Sequence, residues 1–231
     1  MEAIVLAGGF GTRLRDVVPD LPKPMAPVAG RPFLEILLTW MARSGFRRVV
    51  LSLGYKADKI VDHFGSRFAG MELVYEIETT PLGTGGAIRQ ASRHCTGSHY
   101  FVFNGDSYLD VDVPLVEAWW QQHRAPIIVA RAVLDTARYG RLEVKGDQVT
   151  AFTAQGIQGP GLINAGCYIF NIDQLSDRPF AQAFSIETDY FPDEVKKSRF
   201  DSLVTEGQFI DIGVPEDYVR AQTELVGVCK P

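Results

Sequence analysis

Apolar residues fall in short, nearly unbroken runs through the first half of the chain. "EAIVLA" (2–7), "RRVVLSL" (47–53), "MELVYEI" (71–77) and "HYFVFN" (99–104) read as strands. Helical spacing fills the gaps at 31–45, 56–65 and 84–94, and a helix near 113–123 precedes a further strand, "PIIVARAV" (126–133). Strands that are apolar almost throughout, alternating with helices, predict a parallel sheet covered on both faces.

The second half changes its pattern. "GRLEVKGDQVTAF" (140–152) predicts a hairpin turning at Gly146-Asp147. "LINAGCYIF" (162–170) predicts a strand, and "SIETDYFPDEVKKS" (185–198) a helix that Pro192 interrupts or starts. Strands at "FDSLVTE" (200–206) and "QFIDI" (208–212) precede a last helix from Pro215. No repeat, low-complexity stretch or linker divides the chain. The expectation is one α/β domain over 1–231, Rossmann-like, with a mixed but mainly parallel sheet flanked by helices. A C-terminal lobe would cover the sheet's carboxyl edge.

Composition removes several function classes. The 231 residues are 46% hydrophobic and 22% charged, ordinary for a soluble protein. No apolar run approaches the roughly 20 residues of a membrane span. The opening "MEAIVLAGG" lacks a signal peptide's basic flank and cleavage pattern, so it reads as the first strand. Cys95, Cys167 and Cys229 are too scattered for a zinc site and point to reduced thiols in the cytoplasm. A net charge of −5 argues against nucleic acid as a partner. It leaves small anions open, because local cations decide those.

The chemistry begins at "LAGGFGTRL" (6–14). A dinucleotide fingerprint would need a third glycine where Leu14 stands, and a Walker loop would need lysine and Ser/Thr where Thr12-Arg13 follow Gly11. What remains is a bare loop, Gly8, Gly9 and Gly11, whose N–H groups can approach a polyanion, with Arg13 suited to phosphate oxygens. Lys23 lies between Pro22 and Pro24, which predicts an extended, stiff segment holding an ammonium ready for an anion. "FNGDS" (103–107) ends a strand in Asp106, and "FIDIGVPEDY" (209–218) ends another in Asp211. Two carboxylates at strand ends can share a hard cation such as Mg²⁺. The four histidines, His63, His94, His99 and His123, fall on predicted helices or strand edges and read as structural.

Glycine loop, arginine, "PKPM", "GD" and "DIGVPEDY" in this order resemble the nucleotidyltransferases that join a nucleoside triphosphate to a sugar 1-phosphate. The resemblance covers nearly the whole chain. It implies a nucleotide-diphospho-sugar transferase fold, with a nucleotide-binding part over about 1–110 and a sugar-binding part over about 111–231. It also implies Mg²⁺ dependence and direct attack of the sugar phosphate on the α-phosphorus, releasing pyrophosphate. By that resemblance Arg13, Lys23, Asp106 and Asp211 are the catalytic set, with Asp106 and Asp211 carrying the metal. The nucleotide would meet Leu6, Ala7, Gly8, Gly9, Gly11, Thr12, Arg13, Glu78, Pro81, Gly83, Thr84 and Gly105.

"IETTPLGTGGAI" (77–88) resembles the family's base-reading segment, with Glu78 where several pyrimidine-using members carry glutamine. A carboxylate can accept from both N1–H and the amino group of guanine, which favours GTP. Asp106, Tyr139, Gly140, Asn164 and Glu187 would meet the sugar, on the resemblance of "ARYGRLE", "INAGCYIF" and "SIETD". "LINAGCY" and "FSIETD" in so short a chain look closest to enzymes that load D-glycero-D-manno-heptose 1-phosphate with GMP for capsule, S-layer or lipopolysaccharide assembly. Mannose 1-phosphate with GTP, and N-acetylmuramate 1-phosphate with UTP, are the rival pairs. One departure stands out: Ala154-Gln155 replaces the family's Glu-Lys pair, so either Lys23 with Arg131, Arg138 or Arg141 compensates for the missing charge, or activity is impaired. A rival of another class is a regulatory homologue that binds nucleotide-sugars without turnover. A homo-oligomer is left open.

Overall fold

The computed structural model describes residues 1–9, 11, 14, 18–176 and 181–228. Its strands are β1 (Glu2–Ala7), β2 (Pro27–Val28), β3 (Arg31–Pro32), β4 (Arg48–Leu53), β5 (Arg67–Phe68), β6 (Met71–Ile77) and β7 (His99–Asn104). They continue as β8 (Ser107–Leu109), β9 (Ile127–Val133), β10 (Arg141–Lys145), β11 (Gln148–Thr153), β12 (Gly161–Asn171), β13 (Asp201–Thr205) and β14 (Phe209–Asp211). The α-helices are α1 (Phe33–Arg43), α2 (Ala57–Phe64), α3 (Gly83–Ala91), α4 (Val113–His123), α5 (Phe191–Lys197) and α6 (Pro215–Glu224).

Ten strands form one mixed sheet in the order β10-β11-β13-β9-β12-β7-β1-β4-β6-β5. The four runs read first from the sequence are its parallel centre: β1 lies between β4 and β7, and β6 extends it beyond β4. Period-two side chains divide two cores across the sheet. Phe101 and Phe103 of β7 face one side with Ala3, Val5 and the apolar face of α1; Tyr100 and Val102 face the other with Ile4, Ile88 and Phe191. Phe46 closes edge-on to Phe101 and Phe103, at 5.2 and 5.6 Å between ring centres. Fully burying each such ring contributes about 1.5–3 kcal/mol.

β10 also pairs with β12, so β10, β11, β13, β9 and β12 close on themselves as a ring. β12 serves both this ring and the parallel centre through an irregularity between Asn164 and Tyr168. Gly166 sits there at φ +71°, and a Cβ on it would stand 2.5 Å from Asn104 Nδ2. Only glycine fits a left-handed bulge pressed this closely on its neighbour.

Several expectations shift. The helix predicted over 31–45 begins at Phe33, because Arg31 and Pro32 pair with Pro27 and Val28. Pro192 starts α5, after a π-helical turn over Ile186–Tyr190. The Pro22–Pro24 segment is not extended: Pro22 is, but Lys23–Met25 makes a 3₁₀ turn closed by Met25 N–H to Pro22 O at 2.8 Å. β14 does not join the main sheet at all. It pairs only with β8, in a separate antiparallel ribbon. The histidines are structural as expected: His63, His94 and His99 pair with Glu35, Glu76 and Glu117, and His123 bonds the Trp119 carbonyl. Among the described residues no helix is long and apolar enough to cross a membrane.

Candidate active site

The carboxyl ends of β6, β4, β1 and β7 stand side by side and open on a cavity of about 410 Å³. Ligands of open α/β sheets bind at such a place, where connections diverge to either side. Glu78, Thr79, Thr80 and Pro81 follow β6; Gly54 and Tyr55 follow β4; Gly8 and Gly9 follow β1; Asn104 ends β7 and Asp106 lies just beyond it. Strand order therefore gives the cavity a direction, from Glu78 at one end, past the glycines, to Asp106 at the other.

At the Glu78 end, the carboxylate accepts the Leu82 N–H at 3.0 Å and the Ser52 hydroxyl at 3.3 Å. The side chain is thereby fixed against the cavity wall. Gly9 lies on the wall too, and a Cβ there would meet nothing within 4 Å. Gly9→Ala should therefore leave the melting temperature unchanged within a degree or two, about 0.5 kcal/mol. It should weaken nucleotide binding about tenfold, because a polyanion must reach the bare amide. Calorimetric titration checks this, and an unchanged affinity would remove the glycine from the phosphate site.

At the other end a charge cluster is assembled by backbone pairing. The Gly105 N–H donates to Leu6 O at 2.8 Å and stitches the turn after β7 to β1. Register in the ribbon sets Ser107 opposite Asp211, and the Ile212 N–H donates to Asp106 O at 3.0 Å. Asp106 and Asp211 thus become neighbours. Lys23 Nζ lies 2.5 Å from Asp106 Oδ2 and 4.0 Å from Asp211 Oδ1, with its side chain only 10% exposed. Gly11, at φ +58°, lets the glycine loop pass where a Cβ would come within 2.8 Å of Lys23 Cβ.

Burial pushes the Asp211 carboxyl above its usual range, and the Asp106 charge adds to that. Lys23, the Gly213 N–H at 2.7 Å and Arg138 offset part of the effect. Arg138 is itself held by the buried Asp217 of α6 at 2.9 Å and lies over the Tyr139 ring. Of the three arginines considered as replacements for a lysine at Gln155, it is the one whose charge acts on Asp211. Arg131 donates to the Gly207 carbonyl, and Arg141 packs beside Gly161.

The structure gathers Leu6, Gly8, Gly9, Glu78, Pro81, Gly83, Thr84, Asp106 and Glu187 on one cavity. Lys23 and Asp211 join through Asp106. Gly11 lies with Lys23 and Leu14 in a small adjoining pocket. Thr12 and Arg13 lie outside the described residues. Other expected residues lie off the cavity wall. Ala7 points into the core, and Gly105 serves as a backbone stitch rather than as cavity wall. Tyr139, Gly140 and Asn164 are not on the cavity wall. Tyr139 packs edge-on to Phe209, and Gly140 O accepts the Asn164 N–H at 2.7 Å. The Asn164 side chain is occupied by the Tyr168 hydroxyl and the Gly166 N–H. Ser52, Gly54, Tyr55, Thr79, Thr80 and Asn104 were missed. The switch-point rule applied to "LSLGY", beside β1, would have found the β4 residues.

The family model described as nucleotidyl transferase matches residues 2–226. A D-glycero-alpha-D-manno-heptose 1-phosphate guanylyltransferase from Aneurinibacillus thermoaerophilus is 39% identical over 226 residues, covering 97% of this chain and 98% of its own. One of the same description from Campylobacter jejuni is 37% identical, covering 94% and 97%. The crystal structure of HddC from Yersinia pseudotuberculosis complexed with GMP-PN superposes with a TM-score of 0.85 at 38% identity, covering 96% and 97%.

Proposed function

The chain belongs to the nucleotidyl transferase family, and from that premise we propose that it joins GTP and D-glycero-D-manno-heptose 1-phosphate into GDP-heptose and pyrophosphate. The observation that carries this reading is the charge cluster at one end of a cavity whose other end holds a fixed carboxylate. Two full-length relatives of that activity and a matching fold that holds a guanosine nucleotide support it.

The reaction brings two polyanions together, so positioning and charge neutralisation carry most of the catalysis. A phosphate oxygen of the sugar phosphate attacks the α-phosphorus in line. The bond to the bridging oxygen breaks, and that oxygen leaves with pyrophosphate. Glu78 accepts from the base edge at the β6 end, and the Gly8–Gly9 backbone receives the phosphates in the middle. Lys23 neutralises charge beside the reacting phosphorus. At an effective dielectric near 20, opposite unit charges about 4 Å apart attract by about 4 kcal/mol.

Asp106 and Asp211 fit a divalent cation, Mg²⁺ in our reading. They are two hard oxygen donors set together, Asp211 half-buried against a like charge, and among the described residues Lys23 lies close to both. Held by these two residues, the cation would supply Lewis-acid polarisation of the phosphoryl group. The buried, unpaired thiols Cys95 and Cys167 fit a cytoplasmic setting.

A substrate matrix tests the proposal: GTP, UTP, dTTP, CTP and ATP against heptose, mannose, glucose and N-acetylmuramate 1-phosphates, with pyrophosphate release as readout. The GTP–heptose pair is expected to be fastest. A faster mannose or UTP reaction would reassign the substrate, and no release from any pair would leave the non-catalytic, nucleotide-sugar-binding role. Glu78→Gln should raise the KM for GTP at least about tenfold, since the amide cannot accept from both guanine donors and presents its own N–H groups. An unchanged KM would remove Glu78 from base reading.

A further inference from the structure

The sequence places Thr84 on the nucleotide, yet its hydroxyl is committed elsewhere. Thr84 Oγ1 donates to Glu187 Oε2 at 2.6 Å and accepts the Ile186 N–H at 2.9 Å. The same carboxylate oxygen accepts from Ser185 Oγ at 3.1 Å, and Ser185 Oγ accepts the Thr188 N–H at 3.2 Å. One oxygen of Glu187 is thus anchored by two hydroxyls. Among the described residues none bonds the other, Oε1, and Glu187 lines the cavity.

The two chain segments that meet here come from opposite halves of the protein. Thr84 is the second residue of α3, just after the base-reading loop 78–82. Glu187 belongs to the π-helical turn that follows β12. They are stitched by backbone as well: the Gly85 and Gly86 N–H groups donate to Phe184 O at 3.0 and 3.3 Å, and the Phe184 N–H donates to Leu82 O at 2.9 Å. Gly83 and Gly85 leave no room for a Cβ against Phe184. A shift of the loop must therefore carry Glu187 with it.

We infer that Thr84 is a positioning residue for the second substrate: its hydroxyl fixes one oxygen of Glu187 so that the other meets a ring hydroxyl of the sugar phosphate. The loop that reads the base then also sets affinity for the sugar. This rests on the nucleotidyl-transfer reading above.

Thr84→Val keeps the shape and β-branching and removes only the hydroxyl; Thr84→Ser keeps the hydroxyl. In steady-state kinetics with GTP and heptose 1-phosphate, the valine variant should raise the KM for the sugar phosphate about tenfold, and serine should restore it to within about threefold. The affinity for GTP, measured by calorimetry, should stay within about twofold and shows that the site is folded. In a Glu187→Gln background, Thr84→Val should add less than about twofold, because both changes break one interaction. An unmoved sugar KM, a GTP affinity that falls instead, or failure of serine to rescue would overturn the assignment while leaving the reaction in place. A wild-type protein inactive with every sugar phosphate would overturn both.

Discussion

Asp106→Asn and Asp211→Asn should each lower turnover by about three orders of magnitude, with the fold intact. Both carboxylates stand at the Asp106 end of the cavity, where we propose the reaction takes place, and an amide keeps their shape without their charge. The two variants should differ in stability. Burial and the neighbouring Asp106 raise the Asp211 pKa in the folded protein. The folded state then binds its proton more tightly than the unfolded state does. Stability from this group is present below the ordinary aspartate range and is lost as pH rises through the raised folded value. Asparagine suffers no such loss, so Asp211→Asn should melt above the wild type at pH 7 and show a smaller difference near pH 3. A catalytic group that is destabilising in the resting protein is a common trade between activity and stability. Thermal melts at both pH values, beside a pyrophosphate-release assay, check the pair. Near wild-type rates in both variants would reject the carboxylate assignment, and a lower melting temperature for Asp211→Asn at pH 7 would reject the electrostatic account.

Lys23→Met should move in the opposite direction on stability and in the same direction on rate. The ammonium lies 2.5 Å from Asp106 and 4.0 Å from Asp211. Removing it leaves two neighbouring carboxylates unopposed in a half-buried place. Breaking a fully buried pair costs about 3–5 kcal/mol; with both carboxylates partly exposed, about 1–3 kcal/mol is expected. The loss should shrink at acid pH, where Asp211 takes up its proton and the repulsion disappears. Turnover should fall about a hundredfold or more, because no other cation touches both carboxylates among the described residues. Lys23→Arg should recover the stability but only part of the rate, since a planar guanidinium cannot occupy the place of a compact ammonium. A methionine variant as stable and as fast as the wild type would sink this assignment.

The central strands were legible because both of their faces are buried, which writes them as continuous apolar runs such as "AIVLA" and "YFVF". Of the ribbon, β14 was legible as "QFIDI" but β8 was not, since its three residues carry no period of their own. The sequence paired Asp211 with Asp106, and the ribbon that brings them together is the part it did not show. The two prolines around Lys23 promised rigidity, and the 3₁₀ turn delivers it by a hydrogen bond that no composition rule specifies. Asn164 shows a different limit. Its place in a motif marks it as a sugar contact; that its amide also bonds Tyr168 and the Gly166 bulge is something the motif does not carry. Thr84 likewise kept its place on the wall and changed its partner. A motif identifies which residues come near a site; the local hydrogen bonds decide which atoms are left to meet a ligand.

The ribbon that joins Ser107 to Asp211 has a consequence during synthesis. A growing polypeptide that has emerged only as far as β13 already carries β1, β4, β6 and β7, hence the glycine turn and Asp106. Its second carboxylate is still inside the ribosome. Long-range pairing forms late, so the charge cluster is completed only after β14 has emerged and paired with β8.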